Sequence, residues 1–315
     1  MPQLTYGDVK SAATRIAGQV RPVSLAPADP DASGGQVWFA CEFMQHTGTF
    51  KARGAANFTT AHRETGTMPE AGVVIASGGN AGMACAWAAA RHSIPAAVFL
   101  PETSPAVKVA GLRALGAQVH QVGTEYTAAF EASRRYAATT GALESHAYDH
   151  PLIAAGAGTL LDEVRTTLPG LDTVIVAAGG GGLFAGTAAV ADHYGIRTVA
   201  VEPEHSRALN AALLAGAPVP VSVRSIAADA LGARVISPAA LYWAQRPETR
   251  SVLVPDDAIA AARQRLWDEY RIAVEPAGAT AFAALLSRAY VPAPGEKVCV
   301  VLCGANTDPG DLVHR

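Results

Sequence analysis

What most limits the fold of this chain is a recurrence of short apolar runs, each followed by a longer run with helical character. Within residues 72–195, "GVVIAS" precedes "NAGMACAWAAARHS", "AAVFLP" precedes "PAVKVAGLRALG", and "AQVHQVG" precedes "TEYTAAFEASRRYAATTG". "DTVIVAA" then leads into "LFAGTAAVADHYG", while "RTVAVEP" and "KVCVVLCG" read as further strands. A strand that is apolar at every position must be covered on both faces, and a parallel sheet between helices provides that cover. The predicted fold class is therefore α/β, with open, mostly parallel twisted sheets and helices on both faces.

In such sheets ligands bind at the carboxyl ends of the strands. The glycine-rich and polar segments "SGGNAG" (77–82), "GGGG" (179–182) and "CGAN" (303–306) fall at those ends, which suggests one shared site. Gly179, Gly180, Gly181 and Gly182 follow a strand and open a helix at Leu183. Successive N–H groups there can converge on a phosphate, or the turn can simply allow close strand–helix packing. The segment lacks the G-K-[ST] ending of a nucleotide P-loop. Ser77, Gly78, Gly79, Asn80 and Ala81 sit where another helix begins. They either cap that helix or form a small pocket for a carboxylate. Cys303 ends a strand, where a buried free cysteine is ordinarily a small hydrophobe. Glu275, in "VEPAGATA", can cap the next helix or line a pocket. Lys51, in "TGTFKARGAANF", directly follows Phe50, and Arg53 is expected to serve as an ion-pair or hydrogen-bond partner.

Composition narrows the function classes. The formal charge is -3, charged residues make up 16%, and no basic run suggests a nucleic-acid or membrane partner. The first residues lack a signal-peptide pattern, and no apolar segment approaches the roughly 20 residues of a membrane span. Cys41, Cys85, Cys299 and Cys303 form no C-x-x-C pair and no zinc-type cluster, so a reduced cytoplasmic setting is expected and no metal site is predicted. His46, His92, His146, His150 and His205 form no recognisable pair. The loop "PADPDASGGQ" (27–36) reads as a surface excursion without chemistry.

Taken in order, "TGTFKARGA", "ASGGNAGMACAWAAA", "GGGGLFAG", "VEPAGATA" and "CGAN" resemble the fold type II pyridoxal-phosphate enzymes, of tryptophan synthase β-like architecture. Serine/threonine dehydratases are the nearest group and serine racemase is a cousin. The likeness covers essentially the whole chain. It implies pyridoxal 5'-phosphate as cofactor, with Lys51 linked covalently to it as the catalytic residue and Phe50 stacked on the pyridine ring. Asn80 would bond the ring hydroxyl, and Gly179 to Gly182 with Leu183 would hold the phosphate. Glu275 would line the ring pocket and Cys303 would face the pyridine nitrogen. Ser77 to Ala81 would receive the substrate carboxylate.

The same resemblance implies two lobes: residues 1–69 and 149–315 as a large cofactor-binding domain, and 70–148 as a small mobile one. A homodimer is common in the family. The expected reaction is dehydration of L-serine or L-threonine to a keto acid and ammonia, with the cofactor phosphate protonating the leaving hydroxyl. Racemase chemistry would need a proton-bearing side chain just before Gly79–Asn80, where this chain has Gly78. A hydroxyaspartate dehydratase, a β-replacement synthase and a non-catalytic metabolite-binding protein are the other readings. Glu202 stands where some relatives bind a cation, but Ala208 takes the place of the second acidic ligand, so a divalent site is not expected, and a looser monovalent-ion site built mainly of carbonyl oxygens is the alternative there. The pocket beyond Cβ is expected to draw on "SIAADALGAR" (225–234). No regulatory module is expected after residue 315.

Overall fold

A computed structural model of the chain describes residues 3–29 and 35–313. Residues 30–34, within the loop read above as a surface excursion, lie outside the described residues. The strands are β1 (Leu25–Pro27), β2 (Gln36–Ala40), β3 (Val73–Ala76), β4 (Ala96–Leu100), β5 (Gln118–Gln121), β6 (Leu143–Glu144), β7 (Thr173–Ala177), β8 (Arg197–Pro203), β9 (Thr249–Val254) and β10 (Lys297–Val301). They form a six-stranded sheet in the order β1-β2-β10-β7-β8-β9 and a four-stranded sheet in the order β5-β4-β3-β6. Neighbours are parallel throughout, except β1, which pairs antiparallel with β2.

The six-stranded sheet accounts for the continuous apolar runs. On β7, β8 and β10, Val174, Val176, Ala200, Cys299 and Val301 pack on one face, within a core completed by helices. The alternate residues Ile175, Ala177, Val199, Val201, Val298 and Val300 pack on the other face, in a second core. Successive side chains point to opposite faces, so a strand buried on both faces must be apolar at every position. β8 spans the run "RTVAVEP" from end to end. All four cysteines are buried free thiols.

The helix that starts at Lys51 (Lys51–Glu64) is anchored two residues in. Arg53 is fully buried and donates from Nε and Nη2 to both oxygens of buried Glu42, at 2.8 and 2.7 Å. It donates as well to Glu163, at 2.6 and 3.2 Å, to Thr159 Oγ1 at 3.2 Å, and to the Arg21 carbonyl at 3.3 Å. Thr159 and Glu163 belong to the helix Pro151–Thr167, so one guanidinium joins two helices, the turn at Glu42 and the N-terminal segment. The ion-pair role read from sequence for Arg53 matches this geometry.

Removing a partner from a buried ion pair strands the opposite charge. Arg53→Met is expected to cost about 3–5 kcal/mol, visible as a lower urea midpoint. A loss under about 1 kcal/mol would mean the clamp is dispensable.

Candidate active site

The Lys51 helix is placed by the end of β10. Thr49 forms an antiparallel bridge with Gly304, and the Phe50 N–H donates to the Cys303 carbonyl at 3.1 Å. The chain then turns into the helix at once, with Phe50 as an N-cap that offers no side-chain hydrogen bond. Lys51 thus projects at the carboxyl edge of the six-stranded sheet. Its Nζ donates to the Ala147 carbonyl at 3.1 Å and lies 5.0 Å from the centre of the Phe50 ring. Burial pushes the amine below its ordinary pKa, against the opposing pull of Cys303 and Glu275.

Two further helices open toward the same place. One is Asn80–Ala90, after β3; the other is Gly182–Tyr194, after β7. Both have a glycine N-cap, Gly79 and Gly181, and neither receives a side-chain cap. This corrects the capping reading of the 77–81 segment: Asn80 is the first helical residue and its amide is used elsewhere. An uncapped helix start leaves N–H donors and positive potential for an anion.

The glycine turn is set by close packing. A Cβ on Gly180 would lie 2.3 Å from the Tyr148 ring, and one on Gly181 would lie 2.3 Å from the Ala240 Cβ. Gly181 also holds φ at +95°, where side chains are strained. The strand–helix packing reading and the phosphate reading of this turn are therefore compatible, since the packing itself excludes side chains and leaves a bare peptide turn.

Asn80 is held at both ends of its amide. Nδ2 donates to Glu275 Oε1 at 2.7 Å, and Oδ1 accepts from Asn306 Nδ2 at 2.6 Å. Asn306 also donates to the Thr47 carbonyl at 2.7 Å. Glu275 occupies the N-cap position of the helix Pro276–Leu286 but makes no capping bond, because its carboxylate turns to Asn80. Burial raises its pKa. Cys303, its pKa pushed up to about 12 by burial, keeps its proton and donates to the Ala277 carbonyl at 3.5 Å.

Phe50, Lys51, Ser77 to Ala81, Gly179 to Gly182, Leu183, Glu275 and Cys303 all line a single cavity of about 750 Å³. Residues 228–234, part of the segment expected beyond Cβ, line it too. Asn306 as a partner of Asn80, the Ala147 carbonyl, Tyr148 and Lys108 were not anticipated. The polar ending of "CGAN" was the available signal for Asn306, whereas the others depend on tertiary contacts. The histidines stay outside the lining. His146 accepts the Tyr148 and Asp149 N–H groups through Nδ1, and His150 accepts from Leu152 at the start of its helix.

These features fit a phosphorylated pyridine aldehyde: a buried amine in a cavity, a bare glycine turn at a helix start, and a fixed amide beside a neutral thiol. Comparison with known proteins agrees. Residues 16–304 match the family model described as pyridoxal-phosphate dependent enzyme. The chain belongs to that family. It is 34% identical to an L-threonine ammonia-lyase of Geobacter sulfurreducens, over 97% of this chain and 76% of the relative. It is 35% identical to a phenylserine dehydratase of Ralstonia pickettii, over 90% and 86%. A serine racemase structure from maize superposes with a TM-score of 0.91 at 30% identity, covering 99% of this chain and 96% of the other.

Glu202, on β8, is committed elsewhere. It is fully buried, and its two oxygens accept the N–H groups of Leu209 and Asn210 at 2.7 and 2.8 Å, at the start of the helix Ala208–Ala215. Among the described residues no cluster of three or more His, Cys, Asp or Glu is placed to hold a metal. Burial pushes the Glu202 carboxyl up from 4.5 to about 7, against those two hydrogen bonds. The folded state therefore retains a proton that the unfolded chain loses first. The resulting stability is complete below about pH 4.5 and disappears as pH rises through about 7. Relative to Glu202→Gln, the wild type is expected to lose up to about 3 kcal/mol across that window, read from urea midpoints. Parallel pH profiles for the two proteins would contradict this.

Proposed function

We propose that this chain is an ammonia-lyase that eliminates water from L-serine, L-threonine or a related β-hydroxy amino acid, yielding a keto acid and ammonia. The observation that carries the reading is the placement of Lys51 in one cavity with two glycine-started helices, its amine partly buried there. The names of the three relatives share a theme, since threonine, phenylserine and serine are all β-hydroxy α-amino acids.

Pyridoxal phosphate, when bound, supplies the aldehyde that captures the substrate amine and the conjugated ring that stabilises charge released at Cα. The chain's own groups do the rest. The start of the Gly182–Tyr194 helix and its glycine turn bind the phosphate. Ser77 to Ala81, at the start of the Asn80–Ala90 helix, hold the substrate carboxylate. The Lys51 amine, neutral more readily because of its burial, accepts the Cα proton. Asn80, fixed by Glu275 and Asn306, orients the ring substituent without needing to reorganise. Cys303 commits its proton to the Ala277 carbonyl, so it would offer the bound ring a neutral thiol in place of a carboxylate.

Gly78 is the observation against racemisation. It has no proton to give, and a Cβ there would press on Leu100 at 3.2 Å. Purified holoenzyme is expected to release pyruvate from L-serine or 2-oxobutanoate from L-threonine without forming D-serine, and Lys51→Ala is expected to lose at least about 10³-fold in rate. D-serine outpacing keto acid would favour the racemase reading. Undiminished turnover by Lys51→Ala would reject the catalytic assignment.

A further inference from the structure

The amine of Lys51 is held by a group that no side chain supplies. Nζ donates to the Ala147 carbonyl at 3.1 Å. A backbone carbonyl points where φ and ψ send it, so the aim of this acceptor depends on how residues 146–149 are folded. The next residue reaches the other half of the site. Tyr148 lies against the glycine turn, where a Cβ on Gly180 would stand 2.3 Å from its ring and one on Gly182 would stand 2.9 Å from its carbonyl oxygen. Its hydroxyl donates to the Val235 carbonyl at 3.2 Å. Two adjacent residues thus touch the reactive amine and the phosphate turn, and one short segment joins the two.

A side chain folds that segment. It lies between β6 and the helix Pro151–Thr167, and among the described residues no backbone–backbone hydrogen bond is made by residues 146–149. His146 Nδ1 accepts instead, from the Tyr148 N–H at 3.2 Å and from the Asp149 N–H at 2.8 Å. Nδ1 lies as many bonds from Cα as the Oδ1 of asparagine. The ring therefore makes the turn that asparagine and aspartate make when they bond the N–H two residues on. It also packs edge-on against the Tyr148 ring, with centres 4.8 Å apart.

Receiving two N–H groups takes a lone pair, so the ring is neutral and its proton is on Nε2. Burial holds it below the ordinary histidine pKa of 6.5; the Lys51 amine pushes the same way and Asp149 opposes. His146 does not itself line the cavity, so whatever it contributes passes through its neighbours.

Resting on the elimination reading above, we infer that His146 is a positioning residue: its Nδ1 folds residues 146–149 into the turn that aims the Ala147 carbonyl at the Lys51 amine and seats Tyr148 on the glycine turn. The amine is thereby oriented when it takes the Cα proton. The phosphate turn is backed by a ring fixed at its root by His146 and at its tip by Val235.

Three variants separate the acceptor from the ring. His146→Asn keeps an acceptor at the place of Nδ1, His146→Gln moves it out to the place of Nε2, and His146→Ala removes it. The holoenzymes are compared with whichever of L-serine and L-threonine the wild type uses. His146→Ala and His146→Gln are expected to lower kcat about 10- to 100-fold while KM changes less than about threefold. Both are expected to lose pyridoxal phosphate on dilution about 5- to 10-fold faster. His146→Asn is expected to stay within about threefold of wild type in kcat, KM and cofactor loss. Glutamine matching the wild type while asparagine fails would put the role at Nε2 and overturn the inference. Alanine matching the wild type, or asparagine failing as alanine does, would overturn it too. One measurement needs no variant to fold: isotope-edited NMR of the wild-type histidine rings at neutral pH is expected to show residue 146 neutral with its proton on Nε2. A proton on Nδ1 would overturn the inference whatever the variants do. A wild type that releases keto acid from neither substrate removes the elimination reading, and the rates of cofactor loss and the tautomer then still decide whether His146 folds the turn.

Discussion

The buried contact between Arg53 and its two carboxylate partners decides where Lys51 can be. Lys51 begins a helix with no side-chain cap, so local sequence alone does not fix its position. Glu42 and Glu163 grip the next turn of that helix through a guanidinium with no exposed surface, and the bridge to Gly304 fixes the residues before it. The amine is thus held from both sides in sequence, which lets it be partly desolvated without drifting to water. Desolvation costs stability, and a rigid, fully hydrogen-bonded neighbour offsets that cost.

Around that amine the sheets contribute two matching strand–glycine–helix junctions. β3 and β7 lie in different sheets, yet each ends in a glycine turn that opens a helix toward the same cavity. Helix starts left uncapped are unsatisfied donors, and two facing one cavity suit a ligand with two anionic ends. A cofactor phosphate and a substrate carboxylate meet that description. The neutral thiol of Cys303 and the immobilised amide of Asn80 then complete a setting in which few groups must reorganise.

Much of this was legible in the order of residues. Strands β3, β4 and β7 and the helices after them follow from apolar runs and their punctuation, because burial on both faces leaves no alternation to obscure. Strands β1, β2, β6 and β9 escaped notice. β6 has only two residues, and the partly exposed β9 carries Thr249, Arg250 and Ser251, which read as polar loop. At the site, residues in glycine-rich or otherwise marked segments were found. Those defined by tertiary contact alone were not: the Ala147 carbonyl, the ring of Tyr148 and the side chain of Lys108. Only the folded position of Arg53 explains the charge of Glu163.

The chain has four lysines, Lys10, Lys51, Lys108 and Lys297, and both Lys51 and Lys108 line the cavity. Borohydride reduction of the yellow holoenzyme, followed by peptide mass spectrometry, distinguishes them directly. A stoichiometric pyridoxyl-phosphate adduct is expected on the Lys51 peptide alone. An adduct on Lys108, or on no lysine, would contradict it.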